Sequence, residues 1–526
     1  MVMGAFFFKT LLIFWSRFFL RRFRSNITYA TESKHQKYTS LLHRSDNYLK
    51  DHTVIFDVEH ALLRSSSVFP YFMIVAFEAG GIVRVMVLIL LYPVVCLCGE
   101  DVGVKIMIMV CFFGVRAERF RVGEAVLPKF LLEDVGSEIF EVVRGCGKKV
   151  GVSVLPRVMV ECFLKEYLEI DVVVGKELRV FGGYYLGLTE ETTIRLCGLE
   201  VVVDKGKGFY CDDEEMIGIS GSRTDFDHHF FSRCKEVYMV EEADKKKWQK
   251  LAREKYPKPL IFHDGRLALS PTLVNSLAIL MWVPCGLILA FIRSIIGLSL
   301  PYNISAPLLA MSGLHLTVTK PRETQKTKKP KAHLYVCNHR TLLDPLYISF
   351  VLRKNLVAVT YSLSRMSELL SPIKTVRLTR NRNEDSKMMK QLLKQHGNHV
   401  VVCPEGTTCR EQYLLRFSPL FSEMCEEIAP VAIDSHVSMF HGTTASGLKY
   451  LDPVFFMMNP FPVYSIRFLE KVSPSRATSR FEVANLIQAR IGDALGFECT
   501  KLTRKDKYLI LAGNEGTVST TPWTIF

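Results

Sequence analysis

A histidine and an aspartate five positions apart, His339 and Asp344, follow a short apolar run that is typical of a β-strand. At a strand end the two side chains can meet. The carboxylate then accepts a hydrogen bond from one ring nitrogen, and the other nitrogen can take a proton from a hydroxyl group. The pair has no nucleophile of its own, so it suits an enzyme whose attacking alcohol belongs to the substrate. The spacing alone is a weak indication, because it recurs at His52 and Asp57.

Three further blocks of residues follow this pair in the chain. Three arginines lie within six positions, Arg377 to Arg382. The segment Pro404–Thr407 ends another apparent strand, and Pro430 lies in a third. In type and order, the four blocks resemble the signature of the glycerolipid acyltransferases, and the resemblance covers residues 315 to 500.

The resemblance implies that the acyl acceptor is glycerol 3-phosphate. Guanidinium groups bind phosphate with paired, directional hydrogen bonds that lysine cannot copy. We therefore expect four phosphate ligands, Arg377, Arg380, Arg382 and Arg410, of which Arg380 stands where the second block's arginine falls. The third block is implied to position the acceptor through Glu405, Gly406 and Thr407. The alternatives are solvated surface charges for the arginines and a structural turn for the third block.

These residue types predict direct acyl transfer. His339 removes the proton of the substrate hydroxyl, Asp344 fixes the imidazole tautomer, and the alkoxide attacks the carbonyl carbon of an acyl thioester. The acyl donor implied by the resemblance is acyl-CoA. The scheme requires no metal, no cofactor and no acyl-enzyme.

A second resemblance lies nearer the N-terminus, where an apolar strand runs into Asp57. This segment looks like the opening of the haloacid-dehalogenase phosphatases, a strand followed by Asp-x-Asp-Gly-Thr, in which the first Asp is the nucleophile. Glu59 replaces the second Asp, and Ser153 fits the second block of that family. In the last block Gly221 replaces the first Asp of Gly-Asp-x-x-x-Asp, while Asp225 is kept. A magnesium carboxylate is missing, and we expect a phosphatase fold without useful phosphatase activity.

Short β-branched runs alternate with helix-like stretches in both halves of the chain, which is typical of parallel sheets. We predict an α/β protein with a haloacid-dehalogenase-like Rossmannoid domain followed by a glycerolipid-acyltransferase α/β domain. The predicted strands are 53–56, 149–154, 171–174, 199–203, 216–220, 334–337, 356–361, 376–378, 400–403 and 430–433, and the predicted helices of the second domain are 384–396 and 481–495.

Two apolar stretches indicate contact with lipid. The run Ala5–Leu20, closed by an arginine cluster, resembles a membrane anchor, although a mitochondrial presequence or an amphipathic helix also fits. Pro271–Thr319 carries one formal charge, Arg293, which leaves uncharged runs of 22 and 26 residues. Such runs form two spans, a kinked hairpin or a re-entrant element, and the rival is a buried soluble core.

We expect five regions: a hydrophobic anchor with its basic flank (1–45), a haloacid-dehalogenase-like domain (46–250) with an apolar cap insertion (70–116), membrane segments (271–319), an acyltransferase domain (320–500) and a C-terminal tail (501–526). The cap either touches the membrane or is plain core. Integration into the endoplasmic reticulum membrane with a cytosolic catalytic domain is expected, and a mitochondrial membrane is the alternative.

The composition agrees with a membrane-associated enzyme. The 526 residues carry a formal net charge of +14, which suits an anionic partner, and 48% of them are hydrophobic. No nucleic-acid-binding motif is present, so we expect no nucleic-acid partner. The fourteen cysteines include no CxxC pair, and we expect reduced thiols.

The chain combines an N-terminal phosphatase-like domain, a membrane segment and a C-terminal acyltransferase domain. This combination resembles the land-plant glycerol-3-phosphate acyltransferase family. The substitutions at the phosphatase positions place the chain with the branch whose product is lysophosphatidic acid. Three alternatives stay open at this point: a lysophospholipid acyltransferase, a bifunctional enzyme that releases monoacylglycerol, and a non-catalytic membrane scaffold.

Overall fold

The computed structural model describes residues 35–41, 49–190, 216–221, 231, 234–321, 334–360, 365–379, 381–394, 399–423, 427–474 and 479–515. The predicted anchor at 5–20 and the predicted strand at 199–203 lie outside the described residues. The chain divides into two compact units. The first comprises Met1–Phe120 and Leu131–Pro257, and the second comprises Arg121–Phe130 and Lys258–Phe526.

The strands and helices follow in chain order. The strands are β1 (His35–Lys37), β2 (Thr53–Asp57), β3 (Lys148–Pro156), β4 (Val172–Lys176), β5 (Leu178–Phe181), β6 (Tyr184–Thr189), β7 (Met216–Ser220), β8 (Glu236–Met239), β9 (His315–Thr319), β10 (Leu334–Cys337), β11 (Leu356–Thr360), β12 (Lys374–Arg377), β13 (His399–Val402), β14 (Tyr413–Leu414), β15 (Ile428–His436), β16 (Val463–Phe468) and β17 (Glu498–Cys499). The α-helices are α1 (Tyr38–Leu41), α2 (Phe69–Leu97), α3 (Glu100–Phe112), α4 (Val122–Ala125), α5 (Leu127–Leu132), α6 (Ser137–Gly145), α7 (Arg157–Cys162), α8 (Glu242–Lys245), α9 (Leu273–Ser299), α10 (Tyr302–Met311), α11 (Asp344–Leu352), α12 (Arg365–Leu369), α13 (Arg382–Lys394), α14 (Asp452–Met457), α15 (Arg480–Leu495) and α16 (Arg504–Ala512).

The first unit is built on a six-stranded sheet of order β1-β8-β7-β2-β3-β4, in which every pairing is parallel. All five residues of β2 are buried, as expected for a central strand covered on both faces. The carboxyl end of β2 carries Asp57, and the carboxyl end of the neighbouring β7 leads to Gly221. The sheet therefore brings the sequence-predicted phosphatase positions to one edge, as the parallel arrangement requires.

The predicted cap insertion is a pair of helices, α2 and α3. Helix α2 bends at Gly81, whose φ of 71° lies in the left-handed region that glycine adopts without strain. Before the bend its apolar side chains are buried, and after it Val83 and Leu90 are 72% and 75% exposed. The guanidinium group of Arg84 donates to carbonyl oxygens at the end of α3, including that of Phe113 at 2.7 Å. The charge that interrupts the apolar run is thus satisfied within the helix pair.

The second unit contains a seven-stranded sheet of order β12-β11-β13-β10-β15-β16-β9, in which only the β15–β16 pairing is antiparallel. Residues of its central strands β10 and β13 are buried throughout. The sheet also includes β9 (His315–Thr319), which lies within the stretch predicted as membrane segments. The carboxyl ends of β10 and β13 lie side by side and lead into the two loops that carry His339 and Glu405.

Helix α9 contains the single charge of the long uncharged stretch. The sequence treats Arg293 as a boundary between two apolar runs, whereas in the structure it lies inside one helix of 27 residues. The following run forms α10, of ten residues, and β9, and it contains no second long helix. In the described part of the chain two helices, α2 and α9, are long and apolar enough to cross a membrane. Length and composition alone support membrane association only weakly.

Arg293 joins α9 to the rest of the second unit. Its side chain is fully buried and donates to the carbonyl oxygens of Met457 (2.7 Å), Asn459 (2.6 Å) and Pro460 (3.0 Å), and to Ser312. The buried residues of α9 recur at helical spacing on this face, at Ser276, Ile279, Gly286, Ala290 and Arg293. The guanidinium group therefore serves a structural purpose in this unit.

Replacing Arg293 with methionine should destabilise the second unit by on the order of 3 kcal/mol, because the apolar side chain leaves several buried carbonyl oxygens without donors. The measurement is the midpoint temperature of unfolding in detergent. The control is Arg490→Met, at an exposed arginine on α15. Equal midpoints for the two variants would contradict the assigned role of Arg293.

Candidate active site

The predicted catalytic pair is formed in the structure. His339 lies in the loop after β10, and Asp344 is the first residue of α11. The distance between His339 Nδ1 and Asp344 Oδ2 is 2.8 Å, and the Asp344 carboxylate is fully buried. The ring nitrogen facing Asp344 is thus hydrogen-bonded to the carboxylate, which leaves Nε2 as the nitrogen that can accept a proton.

The Asp344 carboxylate is held by more donors than the histidine alone. It accepts hydrogen bonds from the backbone N–H groups of Arg340 (2.6 Å) and Thr341 (3.0 Å), and from the Thr341 hydroxyl (3.0 Å). The phenolic hydroxyl of Tyr464, on β16, also donates to it. These bonds fix the carboxylate in place, so that its geometry toward the imidazole is set before any substrate arrives.

The surroundings of His339 favour its protonated form. Burial acts to lower the pKa of His339, but the neighbouring Cys403 and the Asp344 carboxylate outweigh burial and hold that pKa well above its ordinary value. The neutral imidazole is the form that acts as a base, and it is a strong one because the carboxylate stabilises the imidazolium that forms when it takes a proton. The side chain is thereby suited to general-base catalysis.

A cleft of about 190 Å³ opens beside His339. Its lining includes polar residues, among them Thr407 and Thr408. It also includes the apolar residues Leu342, Leu343, Leu346, Val359, Leu370 and Ile373. A cleft lined by both kinds of residue can hold a polar acceptor and an apolar chain.

Glu405 lies behind the cleft wall and is absent from its lining. One of its carboxylate oxygens accepts the backbone N–H of His339 at 2.7 Å, and the other accepts that of Leu415 at 2.9 Å. Burial raises the pKa of Glu405 to about 7. The contacts of Glu405 thus hold the His339 loop, while its neighbours Gly406, with a φ of 67°, and Thr407 line the cleft. Substrate contact by all three residues stays a prediction.

The four predicted phosphate ligands lie in different surroundings. Arg377 is partly exposed and pairs with Glu368 at 2.8 Å, and Arg382 is exposed at the start of α13. Arg410 is buried, donates to Thr443 Oγ1 at 2.8 Å and lies 3.5 Å from Asp264. None of these three lines the described cleft, and Arg380 lies outside the described residues. Their role in phosphate binding stays a prediction.

Three cleft residues were missed in the sequence. Cys403 lines the cleft, and its sulfur belongs to a group of side-chain atoms of His339, Asp344 and Cys403 within 4.8 Å of one another. Lys449 and Tyr508 also line the cleft, and Tyr508 comes from α16, in the predicted C-terminal tail. The capping box of α16, formed by Thr503 and Asp506, is a signal that indicates an ordered helix there.

The phosphatase positions of the first unit do assemble, but in an altered form. The Asp57 carboxylate accepts hydrogen bonds from the backbone N–H and ring Nδ1 of His60, both at 2.9 Å. The other ring nitrogen of His60 lies 2.8 Å from Glu100, at the start of α3. Burial acts to lower the pKa of His60, but its hydrogen bonds to both carboxylates outweigh this and raise the pKa to about 11. An imidazolium group therefore occupies one side of the predicted nucleophile.

The Glu59 carboxylate is hydrogen-bonded as well. It is buried and accepts from the Ser153 hydroxyl and from the Val154 N–H at 3.2 Å. Burial, together with the charge of Asp57, raises the pKa of Glu59 to about 7. The buried Lys245 donates to the Glu59 carbonyl oxygen at 3.2 Å.

The residues present do not fit the magnesium ion on which the phosphatase family depends. A Cβ atom built on Gly221 would lie 2.1 Å from the His60 carbonyl oxygen, so an aspartate cannot be restored there without moving that backbone. Asp225 lies outside the described residues. Both carboxylate oxygens of Asp57 are hydrogen-bonded to His60, and position 221 has no carboxylate, so the described residues offer few free oxygen ligands of the kind that magnesium prefers.

Comparison with known proteins identifies both halves of the chain. Residues 53–240 match the family described as glycerol-3-phosphate acyltransferase RAM2-like, HAD-like domain, and residues 316–434 match the acyltransferase family. The predicted fold class, with one domain of each kind, is confirmed.

Curated plant proteins match nearly the whole chain. Probable glycerol-3-phosphate acyltransferase 2 of Arabidopsis thaliana is 52% identical, over 95% of this chain and 97% of its own length. Probable glycerol-3-phosphate acyltransferase 3 of the same plant is 54% identical, over 97% and 98%. Glycerol-3-phosphate acyltransferase RAM2 of Petunia hybrida is 42% identical, over 88% and 98%. The chain belongs to the plant glycerol-3-phosphate acyltransferase family.

Proposed function

We propose that this protein transfers a fatty acyl group from acyl-CoA to a hydroxyl group of glycerol 3-phosphate and releases lysophosphatidic acid. The observation that carries the proposal is the His339–Asp344 pair, 2.8 Å apart, beside a cleft lined by both polar and apolar residues. The relatives that match nearly the whole chain are named glycerol-3-phosphate acyltransferases, two of them as probable ones.

In the proposed reaction His339 Nε2 takes the proton of the glycerol 3-phosphate hydroxyl as its oxygen attacks the thioester carbonyl carbon. The C–S bond breaks, the proton passes to the sulfur, and free CoA leaves. Asp344 keeps the Nδ1 proton in place and stabilises the imidazolium that forms. The apolar wall near Leu342 and Leu346 accommodates the acyl chain.

Lysophosphatidic acid is the proposed end product, because the described residues of the first unit form no working phosphatase centre. A phosphatase of this fold needs a free nucleophilic carboxylate and a magnesium ion. Here Asp57 is bonded to His60, and position 221 cannot accept a carboxylate without a shift of backbone. We assign the first unit a supporting role for the acyltransferase unit or for membrane association.

The test of this function is a panel of acceptors offered to membranes that contain the protein, with labelled acyl-CoA as the donor. We expect glycerol 3-phosphate to be acylated with a kcat/KM at least tenfold above that of lysophosphatidic acid or lysophosphatidylcholine. A preference for either lysophospholipid would assign the cleft to the second acylation step and contradict the proposal. Replacing acyl-CoA with an acyl carrier protein thioester tests the donor in the same assay.

Direct transfer also makes a prediction for Cys403, whose thiol lies close to His339. An acyl-cysteine intermediate would make this thiol essential, whereas direct transfer does not use it. Cys403→Ala should therefore keep acyl transfer within about threefold of the wild type at a pH where His339 is neutral, since the His339–Asp344 pair stays intact. Rates with saturating substrates measure this. The pKa of His339 should fall in this variant, because Cys403 contributes to raising it. A loss comparable to that of a catalytic-pair variant would show that the reaction proceeds through an acyl-enzyme.

The proposed location is the endoplasmic reticulum membrane, with the catalytic unit facing the cytosol, where acyl-CoA and glycerol 3-phosphate are available. The apolar faces of α2 and α9 support membrane association in general, and the compartment is a proposal. Fluorescent fusions imaged with markers for endoplasmic reticulum and mitochondria distinguish the two membranes.

A further inference from the structure

The cleft beside His339 needs a group that binds the phosphate of its acceptor. Among the described residues that line it, Lys449 is the single lysine or arginine. The described arginines of the second and third blocks lie elsewhere: Arg377 and Arg382 are exposed, and Arg410 is engaged by Thr443 and Asp264. The cationic part of the described cleft therefore comes from residues that lie outside the four blocks.

Lys449 and Tyr508 form a single polar group on the cleft wall. The Lys449 ammonium donates to the Tyr508 hydroxyl and lies 4.4 Å from the centre of its ring. Lys449 comes from the segment before α14, and Tyr508 from α16. Both residues line the same cleft as His339 and Thr407. An ammonium and a phenolic hydroxyl side by side offer two donors, which suits an anionic oxygen.

A second ammonium group lies behind this pair. Lys507 is buried and donates to the carbonyl oxygen of Thr408, and its nitrogen lies 3.4 Å from Thr407 Oγ1. Within the described residues no ion pair joins Lys449 or Lys507 to a carboxylate. Asp452, the one acid among the described residues that line the cleft, is paired with Arg266 at 2.7 Å. Asp264 also acts electrostatically on Lys507, but its carboxylate is paired with Arg410 at 3.5 Å. Among these described groups the cations therefore outnumber the carboxylates.

The state of Tyr508 agrees with an excess of positive charge. Burial acts to raise the pKa of Tyr508, but the ammonium groups of Lys449 and Lys507 outweigh burial and lower that pKa. The positive potential of these ammonium groups would also stabilise a bound phosphate group.

We propose that Lys449 and Tyr508 bind the phosphate group of glycerol 3-phosphate, so that the C-terminal helix α16 supplies part of the acceptor site. The inference rests on the proposed function and extends it to residues outside the four sequence blocks. Lys449 and Tyr508 act here as binding residues that place the acceptor hydroxyl at His339. Lys507 acts through them and through Thr407 and Thr408, as a positioning residue.

The experiment measures KM and kcat for glycerol 3-phosphate in Lys449→Met and Tyr508→Phe. Loss of a charge-assisted hydrogen bond should raise KM for glycerol 3-phosphate by about 10- to 100-fold in Lys449→Met and by less in Tyr508→Phe. We expect kcat within about threefold and an unchanged KM for acyl-CoA, because these residues bind substrate and transition state alike. Lys449→Arg should recover most of the affinity. Lys471→Met, at an exposed lysine paired with Glu427, is the matched control.

The two KM values show which substrate's phosphate Lys449 binds. They also distinguish a failure of this inference from a failure of the proposed function. A raised KM for acyl-CoA with an unchanged KM for glycerol 3-phosphate would assign Lys449 to the phosphates of CoA and overturn the inference. Unchanged constants for both substrates would also overturn it, while the proposed function would stand. A wild-type protein that makes no lysophosphatidic acid would instead refute the proposed function.

A binding measurement covers the case in which Lys449→Met has no measurable turnover. Glycerol 3-phosphate should raise the melting midpoint of the His339→Ala protein, which binds the acceptor without acylating it. In the double variant His339→Ala, Lys449→Met the shift should vanish, and in His339→Ala, Lys471→Met it should persist. A persistent shift in the Lys449 double variant would contradict the inference.

Discussion

Replacing His339 with alanine should lower acyl transfer to glycerol 3-phosphate by about 10²- to 10⁴-fold, the range that a positioned general base contributes. The loss should fall on kcat, with the KM for acyl-CoA little changed, because the imidazole acts on the hydroxyl proton in the transition state. The fold should survive. The main-chain contact of His339 with Glu405 is made by its backbone N–H, which alanine keeps.

A second histidine provides the control for this variant. His436 is at the end of β15, and its side chain is 69% exposed and paired with Asp434 at 2.9 Å. It does not line the described cleft. His436→Ala should leave kcat unchanged within about twofold, as expected for an exposed substitution. Equal losses in the two variants would contradict a special role for His339.

The second large effect should follow from Asp344→Asn, with a fall in kcat of about 10³- to 10⁴-fold, as expected when the base loses its carboxylate partner and adopts the wrong tautomer. In the asparagine variant an NH₂ group replaces one carboxylate oxygen, and this group cannot accept hydrogen bonds. The donors that now bond to Asp344 include the backbone N–H groups of Arg340 and Thr341. Some loss of stability should accompany the loss of rate.

The pH dependence separates catalysis from stability in this variant. The Asp344 carboxylate helps to hold the pKa of His339 above its ordinary value, so its removal lowers that pKa. The base then stays neutral to a lower pH, and the acid limb of the kcat/KM profile should move toward lower pH while the maximum rate falls. An acid limb that does not move would mean that Asp344 does not set the charge of His339.

Asp385→Asn is the matched control. Asp385 is buried in the first turn of α13 and accepts the Thr379 N–H at 2.7 Å and its hydroxyl at 2.9 Å, much as Asp344 does on α11. We expect Asp385→Asn to lower the melting midpoint without moving the acid limb. A shift of the limb in this variant would indicate a general effect of destabilisation.

The parts of the fold that sequence predicts best are those in which residue type and position act together. The strands Met216–Ser220 and Leu334–Cys337 have the predicted bounds, because β-branched and apolar residues fill strands buried on both faces. His339 and Asp344 were predictable for a related reason: five positions bridge a strand end and the following helix start, so local structure alone brings them together.

Contacts between distant parts of the chain were not predictable from spacing. Lys449 and Tyr508 are 59 positions apart, and no periodic pattern connects them. Glu405 belongs to a recognisable block, but its partners are backbone N–H groups, which residue types do not reveal. The pairing of His60 with Glu100 likewise depends on how α3 returns to the edge of the sheet.

Arg293 shows how a charge can mislead when burial is unknown. In the sequence, this arginine divides the apolar stretch into two uncharged runs, each long enough to span a membrane. In the structure the same residue faces carbonyl oxygens of its own unit and lies inside a continuous helix. The number of acceptors around a buried cation depends on the tertiary fold, so this role was visible only in three dimensions.

The most direct test of the account supplies labelled glycerol 3-phosphate and acyl-CoA to membranes bearing the wild type, His339→Ala or Asp57→Asn, and separates the lipid products. We expect lysophosphatidic acid from the wild type, the same amount from Asp57→Asn, and almost none from His339→Ala. Monoacylglycerol that depends on Asp57, or acylation that survives the loss of His339, would contradict it.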